Sequence, residues 1–276
     1  MAAVALALAS SLAWGVADFM GGVQSRRRQL LTVLVVGQAA GLVSMALALA
    51  AFGGAPPDGT EWIAWAVGAN LCGIAALAAF YRGLAIGAMG VVAPISSAAA
   101  VIPLTVGLAS GERPGAIQLA GVVLAIGGVV LASREGPTRG SAAGASLAMA
   151  AALGFGLFFV GIAEASEQDA LWPIFVGRVV SATLLAAVAF AKRTEIPTAP
   201  RDLAQLVPIG VLDVAANLLF ALATREGLVS LVGVLGSLYP VVTVMLAFYL
   251  LHERLHPIQR VGAAGALAGA ALISAG

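Results

Sequence analysis

The chain has 276 residues, of which 61% are hydrophobic and only 10% are charged, and its mean hydropathy is +1.03. Soluble domains carry roughly a quarter of their residues as charged side chains, so this composition excludes a water-soluble fold. The 14 basic and 13 acidic residues give a net charge of +1, which excludes a partner held by bulk charge, such as nucleic acid.

Long apolar runs follow one another along the whole chain. A membrane-spanning helix needs roughly 20 mostly apolar residues, whereas a strand of a membrane barrel alternates polar and apolar residues over about 10, so these runs predict helices. Charged residues, glycine and proline divide the chain into ten apolar segments, at 2–22, 30–52, 62–80, 88–109, 115–133, 141–163, 170–191, 203–223, 228–250 and 257–275. The sequence therefore predicts an all-α integral membrane protein with ten transmembrane helices. Its connectors are too short to hold a soluble domain.

Positive charge is distributed unevenly between alternate connectors. One side of the membrane would carry only Arg113 and Arg225. The other side would carry Arg26, Arg27, Arg28, Arg82, Arg134, Arg139, Lys192, Arg193, Arg201, Arg254 and Arg260. The positive-inside rule places the rich side in the cytoplasm, and therefore both ends of the chain outside it. The predicted location is the cell inner (plasma) membrane.

The two halves of the chain resemble each other. Gly-Glu-Arg-Pro at 111–114 aligns with His-Glu-Arg-Leu at 252–255 at an offset of 141 residues, and Val-Gly-Gln at 36–38 aligns with Val-Gly-Arg at 176–178 at an offset of 140. Repeats at such a period indicate a duplicated structural unit.

The predicted repeats, 1–136 and 137–276, each contain five helices. Because five is odd, the second repeat enters the membrane from the opposite side, and the two repeats have inverted topology. Two opposed halves around a central cavity can open that cavity to one side and then to the other. This organisation is typical of alternating-access transporters.

Four short motifs carry a resemblance to a known family. They are Ala-Trp-Gly at 13–15, the two turns at 111–114 and 252–255, and Ser-Leu-Tyr-Pro at 237–240. Their order, together with the repeat, resembles the drug/metabolite transporter superfamily, in particular its EamA-type ten-helix branch. The resemblance implies a secondary carrier of metabolites or drugs, and many members are exporters. It also implies cytoplasmic termini, opposite to the orientation that the charges predict.

A few ionisable residues lie inside the predicted spans, where they mark a functional site by default. Asp213 lies midway along the eighth segment, and Asn217 shares its helix face. Asp18 lies in the first segment, where it either has a functional role or is solvated at the interface and paired with Arg26. Arg178 needs an acidic partner on another helix, either Asp213 or Asp18, and it would either form a static ion pair or recognise an anion. The alternative for each is a static buried group.

Further polar residues take corresponding positions in the two repeats. Asn70 aligns near Asp213 at an offset of 143, and Gln38 corresponds to Arg178. If the cavity lies on the axis that relates the repeats, these four side chains would contact the polar groups of the substrate.

Four aromatic residues could contact a substrate ring. Trp14 and Tyr239 lie deep in their segments and would line the cavity or pack in the core. Tyr81 and Trp172 lie near segment ends, where an aromatic belt at the membrane interface is expected.

Prolines and turn residues predict local structure. Pro94 and Pro103 interrupt the fourth segment, and Pro240 interrupts the ninth, which predicts broken helices that would suit gates. Glu112 and Glu253 lie in turns and are expected to cap or orient the helix that follows.

The sequence contains no Gly-rich phosphate loop, HExxH motif or Ser/His/Asp set, and His252 and His256 lack a third metal ligand. We therefore predict no cofactor, no metal and no enzymatic activity. The expected function is secondary transport, as an exporter, of a small organic molecule, by proton coupling or facilitated diffusion. A cavity with few charges favours neutral, zwitterionic or aromatic solutes. A membrane-embedded enzyme acting on a lipid-linked substrate and a channel are the alternatives. The expected partners are that solute and the lipid bilayer, in a monomer or a homodimer.

Overall fold

The computed structural model describes residues 2–87, 89–132, 141–251 and 257–275, and every regular element within them is helical. Twelve α-helices and one 3₁₀ helix make up this part of the chain. They are α1 (Ala2–Arg27), α2 (Leu30–Phe52), α3 (Glu61–Ile86), α4 (Met89–Ser96), the 3₁₀ helix Ser97–Ala100, α5 (Val101–Ala109), α6 (Ala116–Ala132), α7 (Ser141–Ala165), α8 (Leu171–Ala191), α9 (Pro200–Glu226), α10 (Val229–Gly236), α11 (Tyr239–Leu251) and α12 (Pro257–Ala275). The predicted all-α class is confirmed.

The described residues form seven helical spans that are long and apolar enough to cross a membrane. They are α1, α2, α3, α7, α8, α9 and the pair α10–α11 taken together. Large apolar side chains also point outward, and Phe52 and Phe190 are 82% and 88% exposed. Such a surface is stable in hydrocarbon and unfavourable in water, so the protein is a multi-pass membrane protein.

Two helical segments are broken where the sequence predicts a break. Proline cannot donate a bond to the carbonyl four residues earlier, and its ring clashes with that carbonyl. Ala99 is the residue four before Pro103, and it lies in the 3₁₀ helix between α4 and α5. Gly236 is the residue four before Pro240, and α10 ends there. The side chain of Pro94 lies outside the described part of the chain.

The core consists of helices that pack in pairs. The most extensive pairs are α6 with α12, α3 with α7, and α1 with α9, while α2 packs against both α8 and α9. Helices α2 and α9 cross with almost no space between their backbones, because a Cβ on Gly210 would lie 1.9 Å from the carbonyl oxygen of Gly37. Glycine at this crossing lets the two helices approach closely.

One end of the molecule, which we call the arginine end, joins the last turn of α1 to the first turns of α9. Arg28 forms an ion pair with Asp202 at 2.7 Å and donates to Gln24 Oε1 at 3.0 Å. Gln24 in turn donates to Gln205 Oε1 at 3.1 Å. This polar network links α1 to α9 at the arginine end.

The opposite end holds the turn at 111–114. Glu112 was expected to cap the helix that follows it, α6, and this expectation is wrong. Its carboxylate instead accepts hydrogen bonds from the backbone nitrogens of Val229 and Ser230, at 2.7 and 3.0 Å, which are the first residues of α10. A carboxylate at a helix N-terminus satisfies unpaired N–H groups and interacts favourably with the helix dipole. Glu253, together with His252, Arg254 and His256, lies outside the described residues.

The aromatic belt prediction fails for Tyr81. Its side chain is 2% exposed, and its hydroxyl lies 3.5 Å from the carbonyl oxygen of Ala17 on α1. Gly21 makes this contact possible, since a Cβ there would lie 2.1 Å from the tyrosine ring. Trp172, by contrast, lies partly exposed in the first turn of α8 and donates its ring N–H to the carbonyl of Gly54 at 3.1 Å.

Candidate functional site

A central cavity lies between the long helices, with about 530 Å³ of empty space that includes its opening to the outside. Its lining comes from α1, α2, α3, α7, α8, α9 and α11. The side chains predicted from the sequence all contribute to this lining: Trp14, Asp18, Gln38, Asn70, Arg178, Asp213, Asn217 and Tyr239. Candidates drawn from six different helices therefore meet in one place.

An ion pair between Arg178 on α8 and Asp213 on α9 forms the polar centre of the cavity. Arg178 Nη1 lies 2.7 Å from Asp213 Oδ2, and the two side chains are only 5% and 17% exposed. Of the two acidic partners expected for Arg178, the structure therefore selects Asp213. A buried ion pair of this kind neutralises two charges that would each be costly alone.

Polar neighbours hold the ion pair on both sides. Gln38 Oε1 on α2 accepts hydrogen bonds from Arg178 Nη1 and from Ser181 Oγ, both at 2.8 Å. On the acidic side, Trp14 Nε1 and Asn217 Nδ2 each donate to Asp213 Oδ1 at 3.2 Å. The carboxylate of Asp213 is thus bonded at both oxygens, and its charge is already compensated within the protein.

Asp18 on α1 differs from Asp213 in having no such partner. Its side chain is 5% exposed, and it makes no hydrogen bond or ion pair with any residue that the structure describes. The charged group that acts on it most directly is the second carboxylate, Asp213. The alternative of a solvated interfacial acid paired with Arg26 is wrong, because Asp18 lies inside the cavity and Arg26 donates to the carbonyl of Leu84 at 3.1 Å.

Asn70 is fixed by close contact between α3 and α8. Its Nδ2 donates to the carbonyl of Ala66 at 3.0 Å, and its side chain occupies the space where a Cβ on Gly177 would lie. The glycine that precedes Arg178 therefore provides the space for Asn70 beside the ion pair.

Aromatic rings cover much of the remaining wall. Tyr239 on α11 shares a hydrogen bond of 2.6 Å with Ser96 Oγ, and its ring packs edge-on against Phe155 at 6.3 Å. Trp14 packs against Phe159 with ring centroids 5.4 Å apart. Phe158 adds a further ring from α7.

The sequence analysis missed part of this lining. Phe155, Phe158 and Phe159 have the spacing of one helix face, and this spacing could have indicated them. Ser181, one turn beyond Arg178, carried a weaker signal. Ile74 and Leu77 could not have been distinguished from apolar residues that face lipid.

The described residues contain no group of three metal-ligating side chains, and the cavity is lined by polar and aromatic groups. It offers one compensated ion pair, one carboxylate without a partner among the described residues, three amide side chains and several aromatic faces. Few, well-placed polar groups in an otherwise apolar cavity are typical of small-molecule sites.

Known proteins resemble this chain in sequence and in structure. The family model of the EamA-like transporter family matches residues 1–134 and 142–275. A solved crystal structure with 19% sequence identity superposes with a TM-score of 0.67, over 98% of this chain and 95% of the other. It is one of 29 significantly similar chains of solved structures, so the fold is an established one. No curated protein sequence is significantly similar.

Proposed function

The chain belongs to the EamA-like transporter family, and on that premise we propose that it is a secondary transporter that exports a small organic molecule through the central cavity. The observation that carries the proposal is the convergence of Trp14, Asp18, Arg178, Asp213 and their partners on one cavity between membrane-spanning helices. Polar groups are costly at that depth, and a substrate path is the usual reason for them.

The proposed architecture is ten transmembrane segments in two inverted repeats, 1–136 and 137–276. The breaks in the fourth and ninth segments occupy corresponding positions, and the helix pairs are consistent with this symmetry. Exchanging the repeats maps α1 onto α7 and α9 onto α3, so the α1–α9 contact maps onto the α7–α3 contact, and both are among the most extensive. The same exchange maps the broken ninth segment, α10–α11, onto the broken fourth segment, α4–α5. Accordingly, α1 packs against α10 and α11, and α7 packs against α4 and α5.

Alternating access would use this symmetry. The network of Arg28, Asp202, Gln24 and Gln205 links α1 to α9 at the arginine end, and exchange of the repeats would break this link and open that end. Broken helices lend themselves to such movement, since their free backbone groups already bond to neighbours or to cavity water. The transporter would lie in the inner membrane.

The energy for export would come from an ion gradient. Asp213 is the proposed site of proton coupling, with facilitated diffusion as the alternative. A proton arriving at this carboxylate would release Arg178 and break the link between α8 and α9, and this coupling of charge to helix contact would join proton movement to conformational change.

A proteoliposome assay tests the proposal. Uptake of pooled amino acids, nucleosides and cationic drugs would be measured with and without an imposed pH gradient, for the native protein and for Asp213→Asn. We expect flux that depends on the gradient in the native protein and is lost in the variant. Flux that neither the gradient nor the substitution changes would indicate facilitated diffusion without proton coupling. No flux of any solute above that of empty liposomes would contradict the proposed function.

A further inference from the structure

The charged side chains that line the central cavity do not balance. Asp18, Asp213 and Arg178 contribute two acidic groups and one basic group. Arg178 and Asp213 neutralise each other at 2.7 Å, which leaves Asp18 uncompensated. An isolated carboxylate in a low-dielectric site is costly, and either a bound proton or a bound cation removes that cost.

The groups around Asp18 leave room for such a cation. The other titratable side chains in this lining are Asp213 on α9, Tyr239 on α11 and Arg178 on α8, and Arg178 is paired with Asp213. Asp18 nevertheless borders the cavity, so a ligand in the cavity can reach it.

The basic residue in the same lining already has an acidic partner. Arg178 is the cationic lining residue, and its Nη1 already bonds to Asp213 and Gln38. Its Nε is fully enclosed, without a hydrogen-bond partner and without contact with the open space. A carboxylate or phosphate on a ligand would therefore share this one guanidinium with Asp213 and would also face Asp18.

The walls around this carboxylate are aromatic. Trp14, Phe155, Phe158, Phe159 and Tyr239 all line the cavity. Aromatic faces attract organic cations by cation–π interaction and also bury apolar groups. An ammonium group on a ring or alkyl body would pair with the carboxylate of Asp18 and pack against the aromatic rings.

From these observations we infer that the substrate is a small organic monocation, an ammonium group on an apolar or aromatic body, and that Asp18 is its counter-ion. This inference rests on the proposed function, and it narrows the substrate class for the same cavity. It selects a cation over the neutral and zwitterionic solutes that the composition also allows.

Three ligands with the same phenylethyl body isolate the effect of charge. They are 2-phenylethylamine, which is a cation at pH 7, phenylalanine, which adds a carboxylate, and 2-phenylethanol, which is neutral. Binding to the purified full-length protein in detergent would be measured by isothermal titration calorimetry. We expect the amine to bind at least about tenfold more tightly than either of the others, a difference of about 1.4 kcal/mol. Equal or tighter binding of phenylalanine or 2-phenylethanol would overturn the inference.

Substitution of Asp18 tests its role directly. In Asp18→Asn we expect the amine to lose at least about tenfold in affinity and to bind no better than the alcohol, while Asp18→Glu, which keeps the charge, restores part of the preference. The matched control is Asp58→Asn, the same change at an exposed carboxylate in the α2–α3 loop, which should leave binding unchanged. Unchanged amine affinity in a folded Asp18→Asn protein would overturn the inference. The comparison of the three ligands on the native protein tests the substrate class even if the Asp18→Asn variant does not fold.

Failure of this inference can be separated from failure of the proposed function. Transport of neutral or zwitterionic solutes in proteoliposomes, without transport or binding of the amine, would overturn the substrate class and leave a transporter. Amine binding without flux of any solute would keep Asp18 as a cation site and contradict the transport proposal.

Discussion

The buried charges of Asp213 and Arg178 neutralise each other. Asp213 Oδ2 forms an ion pair with Arg178 Nη1, and the side-chain hydrogen bonds of the two residues go to Trp14, Gln38 and Asn217. A substitution of one member therefore has two effects, because it removes a titratable group and leaves an unpaired charge in a buried site. Loss of transport in Asp213→Asn alone would not distinguish these two effects.

We expect Asp213→Asn to destabilise the protein by about 3–5 kcal/mol, because Arg178 would remain charged and unpaired. Adding Arg178→Gln removes the whole pair, and the double variant should regain most of that stability. Thermal unfolding in detergent for the native protein, both single variants and the double variant gives the coupling free energy of the pair.

Transport by the same four proteins then assigns the role of Asp213. Recovery of stability without recovery of gradient-driven flux would support a coupling role for the carboxylate. If the double variant regains both, Asp213 serves only to neutralise Arg178, and proton coupling through it is contradicted. Additive effects on stability would contradict the ion pair itself.

Glycines determine how closely the helices of this fold approach. Gly37 on α2 and Gly210 on α9 meet at one crossing, but the two sites are not equivalent. A Cβ on Gly210 would meet the backbone of α2, whereas a Cβ on Gly37 would meet nothing within 4 Å. Since α2 carries Gln38 and α9 carries Asp213, this crossing also sets the distance between two sides of the cavity.

The two glycines give a matched pair of substitutions. Gly210→Ala should destabilise the protein by about 1–3 kcal/mol, because backbone atoms of α2 and α9 must separate. Gly37→Ala should leave stability unchanged or raise it by up to about 1 kcal/mol, because alanine favours helix and fills open space. Thermal unfolding of both variants measures the difference. Equal effects of the two changes would contradict the asymmetric crossing.

Charge on the whole molecule predicts its orientation. Contacts at the arginine end join α1 to α3 through Arg26 and α1 to α9 through Arg28, while Glu112 and Trp172 make contacts at the opposite end. The basic residues of these connectors thus gather at one end, as the alternation of segments predicts. The positive-inside rule places that end in the cytoplasm, contrary to the orientation that the family resemblance implies.

Cysteine labelling of intact cells tests the orientation. In a Cys72→Ser background, Asp58→Cys places a thiol in the exposed α2–α3 loop and Thr198→Cys places one in the exposed loop before α9. A maleimide that cannot cross the membrane should label the first in intact cells and the second only after permeabilisation. Full labelling of both after permeabilisation is the control. The reverse pattern would contradict the charge-based orientation.

The sequence by itself determined the membrane class, the positions of the helices and the polar residues of the site. Hydrocarbon imposes a strong penalty on charge and on unpaired backbone, so Asp18, Arg178 and Asp213 were conspicuous without any structure. The two helix breaks also followed from sequence, because the effect of Pro103 and Pro240 on the preceding turn is local.

Only the tertiary structure decided which groups meet. Lipid is as apolar as the core, so a spanning helix has little amphipathic pattern to show which face points inward. For this reason the sequence could not show that Tyr81 is buried, that Glu112 caps α10, or that Arg178 pairs with Asp213. The same pairing leaves Asp18 without a partner among the described residues, a property of how the helices are rotated against one another.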